Sequence, residues 1–250
     1  MRAKTPADLD NMRQGGKLLA GILQDLAGKV KPGITPKELA ADAHEQIKKY
    51  KMQPVVLGYD GFPDVICISV NNAIVHGIPS QDAIKDGDVV KLDLTVGYKG
   101  MINDSALTVI AGNNTDKDAQ RLVEGTKKSL QAGIAAVKGE GTRVGDISQA
   151  VQDVLEKQYH LGVIRELVGH GVGYEIHESP NIPNYGVAGT GPALHAGMTI
   201  AIEPMAALGD WHIAFAKDKS TIIMKDGSLG AHFEHTVLIT QDGCEILTLP

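Results

Sequence analysis

The chain has little cysteine: Cys67 and Cys244 are the only two in 250 residues. Two cysteines make no disulfide framework, which excludes the small stapled secreted folds and fits a reducing compartment, hence a cytoplasmic protein. Both read as small buried apolar side chains. Aromatics are scarce too, at 4%, with one Trp, three Phe and six Tyr. No apolar run approaches the roughly 18 residues of a membrane span. The apolar stretch 18–23 is too short and too closely flanked by charge for a secretory signal, and Asp8, Asp10 and Arg13 interrupt the segment before it. Lys and Arg number 24 against 30 Asp and Glu, a net charge of −6, and no basic cluster stands out, which argues against a nucleic-acid binder. There is no His-Glu-x-x-His, no Gly-x-Ser-x-Gly, no P-loop and no dinucleotide fingerprint, so zincin, serine-hydrolase and nucleotide-binding chemistry lack support.

What is present is glycine, 29 residues of it, and 43% hydrophobic residues over a length sufficient for a substantial core. Apolar positions Leu9, Met12, Leu18, Leu19, Ile22, Leu23 and Leu26 recur near helical period and predict a helix over 7–28. Lys31-Pro32-Gly33 stops it. Thr35 then serves as N-cap, Pro36 as first helical residue and Glu38 as capping-box partner of a helix reaching about Lys51. Strand patterns follow at 65–70, 88–96 and 105–111, then helices at 116–138 and 145–159. The remainder reads as strands at 163–168, 198–205, 212–216, 221–224, 234–240 and 245–249. Each half runs helix, helix, strands, which is an α+β order.

The informative acidic residues interrupt strands. Period two in the segment 89–96 puts Leu92, Leu94 and Val96 on one face and Lys91, Asp93 and Thr95 on the other. Taken alone, Asp93 fits a solvated face and Asp104 a turn. Gly97-Tyr98-Lys99-Gly100 is a turn signal, however, and a hairpin centred between Tyr98 and Lys99 sets Asp93 directly across from Asp104. Such facing carboxylates destabilise unless a proton or cation lies between them. In the second half, Glu203 ends a strand at Pro204, and a ribbon centred on Asp218-Lys219 pairs it with Glu234.

Three histidines sit in suggestive settings. Gly169-His170-Gly171-Val172-Gly173 places a His among glycines just after a strand, where backbone can approach a ligand. His177 follows seven residues on, and His76 lies in Val75-His76-Gly77-Ile78-Pro79 after another strand. The other six, His44, His160, His195, His212, His232 and His235, read as structural. If Asp93, Asp104, Glu203, Glu234 and His170 converge, four negative charges are matched by two divalent cations. Oxygen-rich ligation with one imidazole favours Mn²⁺, Fe²⁺, Co²⁺ or Zn²⁺. Two such ions suit metal-assisted amide hydrolysis.

The segments 69–79, Leu92-Asp93-Leu94-Thr95-Val96, 169–173, 197–204 and Glu234-His235-Thr236 resemble type I methionine aminopeptidase, and the likeness runs over nearly the whole chain. The resemblance implies a pita-bread fold: one catalytic domain over 1–250, with two pseudo-symmetric α+β halves whose antiparallel sheet carries helices on its outer face. It implies removal of the initiator methionine from nascent proteins with a small second residue, using two divalent ions of the Co, Mn, Fe, Zn or Ni class. It implies Asp93 on one metal, Asp104 and Glu234 bridging both, and His170 and Glu203 on the other. Glu203 would also serve as general base toward a bridging water. His76 would hydrogen-bond near the scissile amide and His177 would donate to its carbonyl oxygen. Tyr59, Phe62 and Cys67 match or resemble positions lining the methionine pocket. The chain departs from the common pattern at Val56, where many members have Cys; at Ile176, where Phe is common; and at Ser220, where Trp is common. A less aromatic pocket is expected to relax selectivity toward other apolar first residues.

Prolidase, aminopeptidase P and creatinase share this fold but usually carry a long additional N-terminal domain. Type II methionine aminopeptidases carry an insertion between the second accessory histidine and the base, whereas 25 residues separate His177 from Glu203 here. Non-catalytic pita-bread binding proteins typically lose ligand residues, and all five are present. The expected partners are N-termini of nascent chains and, transiently, the ribosome, approached by a monomer through surface charge, with neither nucleic acid nor membrane bound directly.

Overall fold

The computed structural model describes residues 4–113 and 115–250. Its helices begin where side chains dictate. Thr5 caps α1 (Pro6–Lys29) in a capping box with Asp8, and Thr35 caps α2 (Pro36–Lys49) in another with Glu38, each with Pro in the first turn. Asp116 caps α3 (Lys117–Ala135) through bonds to the Asp118 and Ala119 amides. In α4 (Val144–Gln152) the third-position Asp146 accepts from the Arg143 amide. The helix expected over 145–159 is α-helical only to Gln152 and then widens into a π-helical turn, Asp153–Gln158.

The strands are β1 (Gln53–Pro54), β2 (Cys67–Val70), β3 (Ala73–Val75), β4 (Val89–Tyr98), β5 (Met101–Ile110), β6 (Gly162–Val163), β7 (Val168–Gly171) and β8 (Glu178–Pro183). There follow β9 (Thr199–Ile202), β10 (Met205–Ala207), β11 (Ile213–Phe215), β12 (Ile222–Met224), β13 (Gly230–His232), β14 (Glu234–Ile239) and β15 (Cys244–Ile246). The central sheet runs β1-β4-β5-β14-β9-β7-β8, with β2 also on β4 and β15 on β14. Two three-stranded sheets, β13-β10-β6 and β11-β12-β3, lie beside it. Two expected strands are divided. The segment 163–168 gives up its middle to a loop, and 198–205 breaks at Pro204, which cannot donate to a ladder, so β9 stays in the central sheet while β10 joins a small one.

One face of the sheet carries the helices. Leu92, Leu94 and Val96 of β4 bury against Leu19, Ile22, Leu23 and Leu26 of α1 and Leu39 and Ile47 of α2. Ile200, Ile202, Val237 and Ile239 bury against Leu122 and Leu130 of α3 and Ile147 and Val151 of α4. Each half thus has its own core on the same side of one sheet, the helix-backed architecture expected of the pita-bread fold. The opposite face is not solvated: Lys91 and Thr95 are fully buried there. The Lys91 ammonium lies 2.7, 3.1 and 3.2 Å from the carbonyls of Asn71, Gly230 and Val89, and burial pushes its pKa well down.

The halves meet where β5 pairs with β14 over only two registered positions, Glu234 with Ala106 and His235 with Ser105. Hydroxyls reinforce this short junction. Ser105 Oγ donates to the Glu234 carbonyl at 2.7 Å, Thr108 Oγ1 donates to the His232 carbonyl at 2.6 Å, and Thr236 Oγ1 accepts from the Asp104 amide at 2.9 Å.

Two glycines of α1 separate helix propensity from packing. Gly21 has open space where a Cβ would stand, whereas a Cβ on Gly16 would collide with the Leu247 backbone carbonyl. Gly21→Ala is therefore expected to stabilise by roughly 0.5–1 kcal/mol through propensity, and Gly16→Ala to destabilise by about 1–3 kcal/mol through overpacking. Urea denaturation measures both, and a stabilising Gly16→Ala would refute the close approach of α1 to the last strand region.

Candidate metal centre

The β4–β5 hairpin turns at Lys99-Gly100, both with positive φ (50° and 83°), and not at Tyr98-Lys99 as its sequence suggests. A two-residue turn of this hand needs positive φ at both central positions, which Gly takes readily and Tyr98 would resist. The partner numbering therefore shifts by two. Asp104 faces Thr95, whose hydroxyl donates to its Oδ1 at 2.9 Å, and Asp93 faces Ala106. The two carboxylates are diagonal neighbours, not a direct pair, but a shift of two keeps both on the same face.

Following the registers across the sheet explains the grouping. Cys67 on β2 stands opposite Asp93 on β4, Asp93 opposite Ala106 on β5, and Ala106 opposite Glu234 on β14. The row thus carries a thiol, a carboxylate, a methyl and a carboxylate, and the small Ala106 leaves room between the acids. The ribbon of the second half keeps the expected register throughout. His235 pairs with Ile202, Met205 with His232, and Ile213 with Met224, all centred on Asp218-Lys219. Glu203 and Glu234 follow immediately beyond the His235–Ile202 pair, on the face where Asp93 and Asp104 lie.

His170, at the end of β7, completes the group. Its Nδ1 lies 3.0 Å from the Gly171 carbonyl, which can only accept, so in the neutral ring Nδ1 carries the proton and Nε2 presents a lone pair. That lone pair faces Glu203 Oε1 at 3.3 Å. Asp104, His170 and Glu234 each offer one donor atom, all within 4.8 Å of one another. Glu234 Oε1 is buried and has no hydrogen-bond partner.

The electrostatics follow from this packing. Burial is the first cause raising the Asp93 and Glu234 carboxyls well above the usual range, with Asp104 and Glu203 adding repulsion to each. Burial also lifts Asp104 to about 6, partly opposed by His170 and by the Thr95 hydroxyl. Burial raises the neighbouring Cys67 thiol as well, with Asp93 next in effect. Acceptors face acceptors across a few ångströms, an arrangement that a divalent cation would reverse from repulsion to ligation.

This cluster floors a cavity of about 620 Å³. His76 and His177 line it, as do Tyr59, Phe62 and Cys67, and so do Val56, Ile176 and Ser220. His76 follows β3 at φ 55°, a left-handed turn that ends the strand. Burial lowers the His76 pKa, opposed by Glu203, and it lowers that of His177, with His170 adding to the fall. The His177 ring meets His170 edge-on at 4.5 Å, and its Nδ1 lies 3.2 Å from the Tyr59 hydroxyl. The loop bearing His177 is anchored by Glu178, which accepts from the Tyr174 amide at 2.7 Å and pairs with buried Lys4 at 3.0 Å.

His232, expected to be structural, lines the cavity as well. His232 is 1% exposed and lies 3.6 Å from Glu203 and 4.0 Å from Glu234, measured from its Nε2. Period two was the available signal, since residues 232 and 234 share a strand face.

Comparison with known proteins agrees with this geometry. The model for metallopeptidase family M24 matches residues 10–241. Methionine aminopeptidase 1 of Bacillus subtilis strain 168 is 43% identical over 245 residues, covering 98% of each chain. The crystal structure of methionine aminopeptidase from Thermotoga maritima superposes with a TM-score of 0.97 at 42% identity, covering both chains in full. A prolidase from Pyrococcus furiosus shares the fold at a TM-score of 0.77 and 24% identity, and this chain spans 65% of its length. The chain belongs to metallopeptidase family M24, among its methionine aminopeptidases.

Proposed function

We propose that this protein, acting as one catalytic unit over 1–250, removes the initiator methionine from nascent chains whose second residue is small, using two divalent cations held by Asp93, Asp104, His170, Glu203 and Glu234. The observation that carries the reading is His170 Nε2, 3.3 Å from Glu203 Oε1, beside the buried carboxylates of Asp104 and Glu234. That donor set fits hard or borderline divalent ions, of the Co, Mn, Fe, Zn or Ni class. Asp93 would hold one ion, His170 and Glu203 the other, with Asp104 and Glu234 reaching both. When bound, the ions would polarise the scissile carbonyl and acidify a water.

The remaining work belongs to side chains. Glu203 takes the proton of the attacking water and delivers it to the leaving amine, as general base and then acid. A Tyr59 hydroxyl donating to Nδ1 of His177 leaves Nε2–H free to donate to the carbonyl oxygen as negative charge develops. His76, a neutral imidazole on the cavity wall, hydrogen-bonds near the scissile amide. Tyr59, Phe62 and Cys67 enclose the methionine side chain with Val56, Ile176 and Ser220. With Ile and Ser at two positions where bulkier aromatics are common, the pocket admits other apolar first residues more readily.

A panel of X-Ala-Ser peptides tests this reading. Met-Ala-Ser should be cleaved in the presence of a divalent cation, with Leu and Phe at X following more slowly. Glu203→Ala should lose at least about 100-fold in kcat while keeping its circular dichroism spectrum. Absence of cleavage with every cation in the class refutes the activity, and full activity of Glu203→Ala refutes the assigned base.

Cation binding must displace protons. The Asp104 carboxyl holds its proton up to about 6, and Asp93 and Glu234 are also raised, so affinity weakens as pH falls through that region and protons are released on binding. Calorimetric titration of chelated protein with Mn²⁺ should show an affinity about tenfold or more lower at roughly pH 5.5 than at roughly pH 7.5, with heats that depend on buffer ionisation. Equal affinities at the two values would refute proton-coupled ligation.

The site would be cytoplasmic, where nascent chains emerge, and the protein a monomer meeting the ribosome transiently. Among the described residues no helix is long and apolar enough to cross a membrane. Cosedimentation with ribosomes at low salt should exceed that of a neutral control protein and vanish at high salt. Equality with the control removes the ribosome as a partner.

A further inference from the structure

Glu203 stands between two imidazoles. Its Oε1 faces the bare Nε2 of His170, and its Oε2 lies 3.6 Å from Nε2 of His232. The His232 side chain is 2% exposed, and neither ring nitrogen has a hydrogen-bond partner within the protein. Its backbone is pinned on both sides of the peptide, since the carbonyl accepts from Thr108 Oγ1 at 2.6 Å and the amide donates back to that oxygen at 3.0 Å. Register fixes it further, opposite Met205 on β10. The ring therefore has a fixed origin, and its Nε2 points to Glu203. A buried imidazole with two idle nitrogens is costly unless it serves something within reach. Among the described residues, the carboxylates placed against its Nε2 are Glu203 and, at 4.0 Å, Glu234.

Resting on the metallopeptidase reading above, we propose that His232 is a positioning residue whose Nε2–H, 3.6 Å from Oε2 of Glu203 in this structure, becomes the donor to that oxygen when a cation is held, with Glu234 as the flanking carboxylate. The bond turns Oε1 toward the His170 side, where a cation would lie, and fixes the angle from which Glu203 reaches the attacking water. His232 acts through Glu203 and touches no substrate atom. Two consequences follow. Loss of the donor lets the carboxylate rotate, which weakens cation binding and lowers kcat. KM for a methionyl peptide stays near its original value, because the pocket walls for the first side chain lie elsewhere, at Tyr59, Phe62 and Cys67.

The test compares His232→Ala, His232→Gln and His232→Asn with the parent protein, each chelated and then titrated with Mn²⁺ by calorimetry. Gln places an amide N–H near the position of Nε2, and Asn stops short of it. Outer-shell donors of this kind typically carry about 10–100-fold in metal affinity. His232→Ala and His232→Asn should lose an amount in that range, and His232→Gln should recover most of it, with kcat following affinity and KM steady. If His232→Ala fails to fold, the Gln and Asn pair decides alone. Affinity in His232→Ala equal to the parent overturns the proposal. So does a His232→Gln variant as weak as His232→Asn, which would mark the imidazole as a direct metal ligand. A parent protein that binds no divalent cation at all would instead overturn the metallopeptidase reading, so the two failures are distinct.

Discussion

Buried like charge is the constraint from which the rest of this molecule can be understood. Asp93, Asp104 and Glu234 stand on strands and Glu203 just past the end of β9, and they meet at the floor of one cavity, where burial strips the first three of the water that would screen them. Isolated carboxylates in such a place are costly enough to take up protons. The structure keeps them there by making the sheet, and not a loop, responsible for their spacing. Every acid is at or one residue beyond a registered ladder position, so the backbone that carries it cannot move away without breaking pairing. Rigidity of this kind preorganises a cation site and removes the reorganisation that a flexible cluster would undergo on loading.

The junction between the halves serves the same end. Asp93 and Asp104 belong to the first half; His170, Glu203 and Glu234 belong to the second. Each half has a separate apolar core, so hydrophobic burial alone does not set their relative position at the site. The short pairing of β5 with β14, reinforced by Ser105, Thr108 and Thr236, does that locally. The same hydroxyls touch the backbone of Asp104, His232 and Glu234. Side chains that join the halves are therefore also those that hold the backbone of these cavity residues in place.

Much of this was legible in the sequence because local chemistry and global fold agree. The Thr35–Glu38 box and Pro36 fixed the start of α2 without any tertiary information. The ribbon centre at Asp218-Lys219 followed from the wish of Glu203 and Glu234 to share a face, and its register continues unbroken over three pairs of short strands. The first hairpin was misplaced because left-handed backbone at Lys99 is not advertised by a lysine. The error was harmless to the grouping, since a shift of two preserves the face. Strands β8 and β13 carry no alternating pattern, being six and three residues long and containing Pro or Gly. His232 was hidden for a different reason: its importance comes from β10 pairing and from the cavity, and nothing adjacent in sequence reports either.

A cation held by residues of both halves would also have a mechanical role. A site whose donors come from both halves binds only when the halves are in register, and never in the unfolded chain at comparable strength. Binding then adds to the folding free energy as the logarithm of the saturation ratio, about 2.7 kcal/mol at a hundredfold excess over the dissociation constant. Against a typical total of roughly 5–15 kcal/mol this is a large share. The carboxylate repulsion that is adverse in the empty cluster would make the gain large on loading, because a cation held by residues of both halves would neutralise the cluster and link the two. Stability and catalysis would then draw on one electrostatic arrangement, and a substitution that eases the repulsion by removing an acid would remove the cross-link along with it.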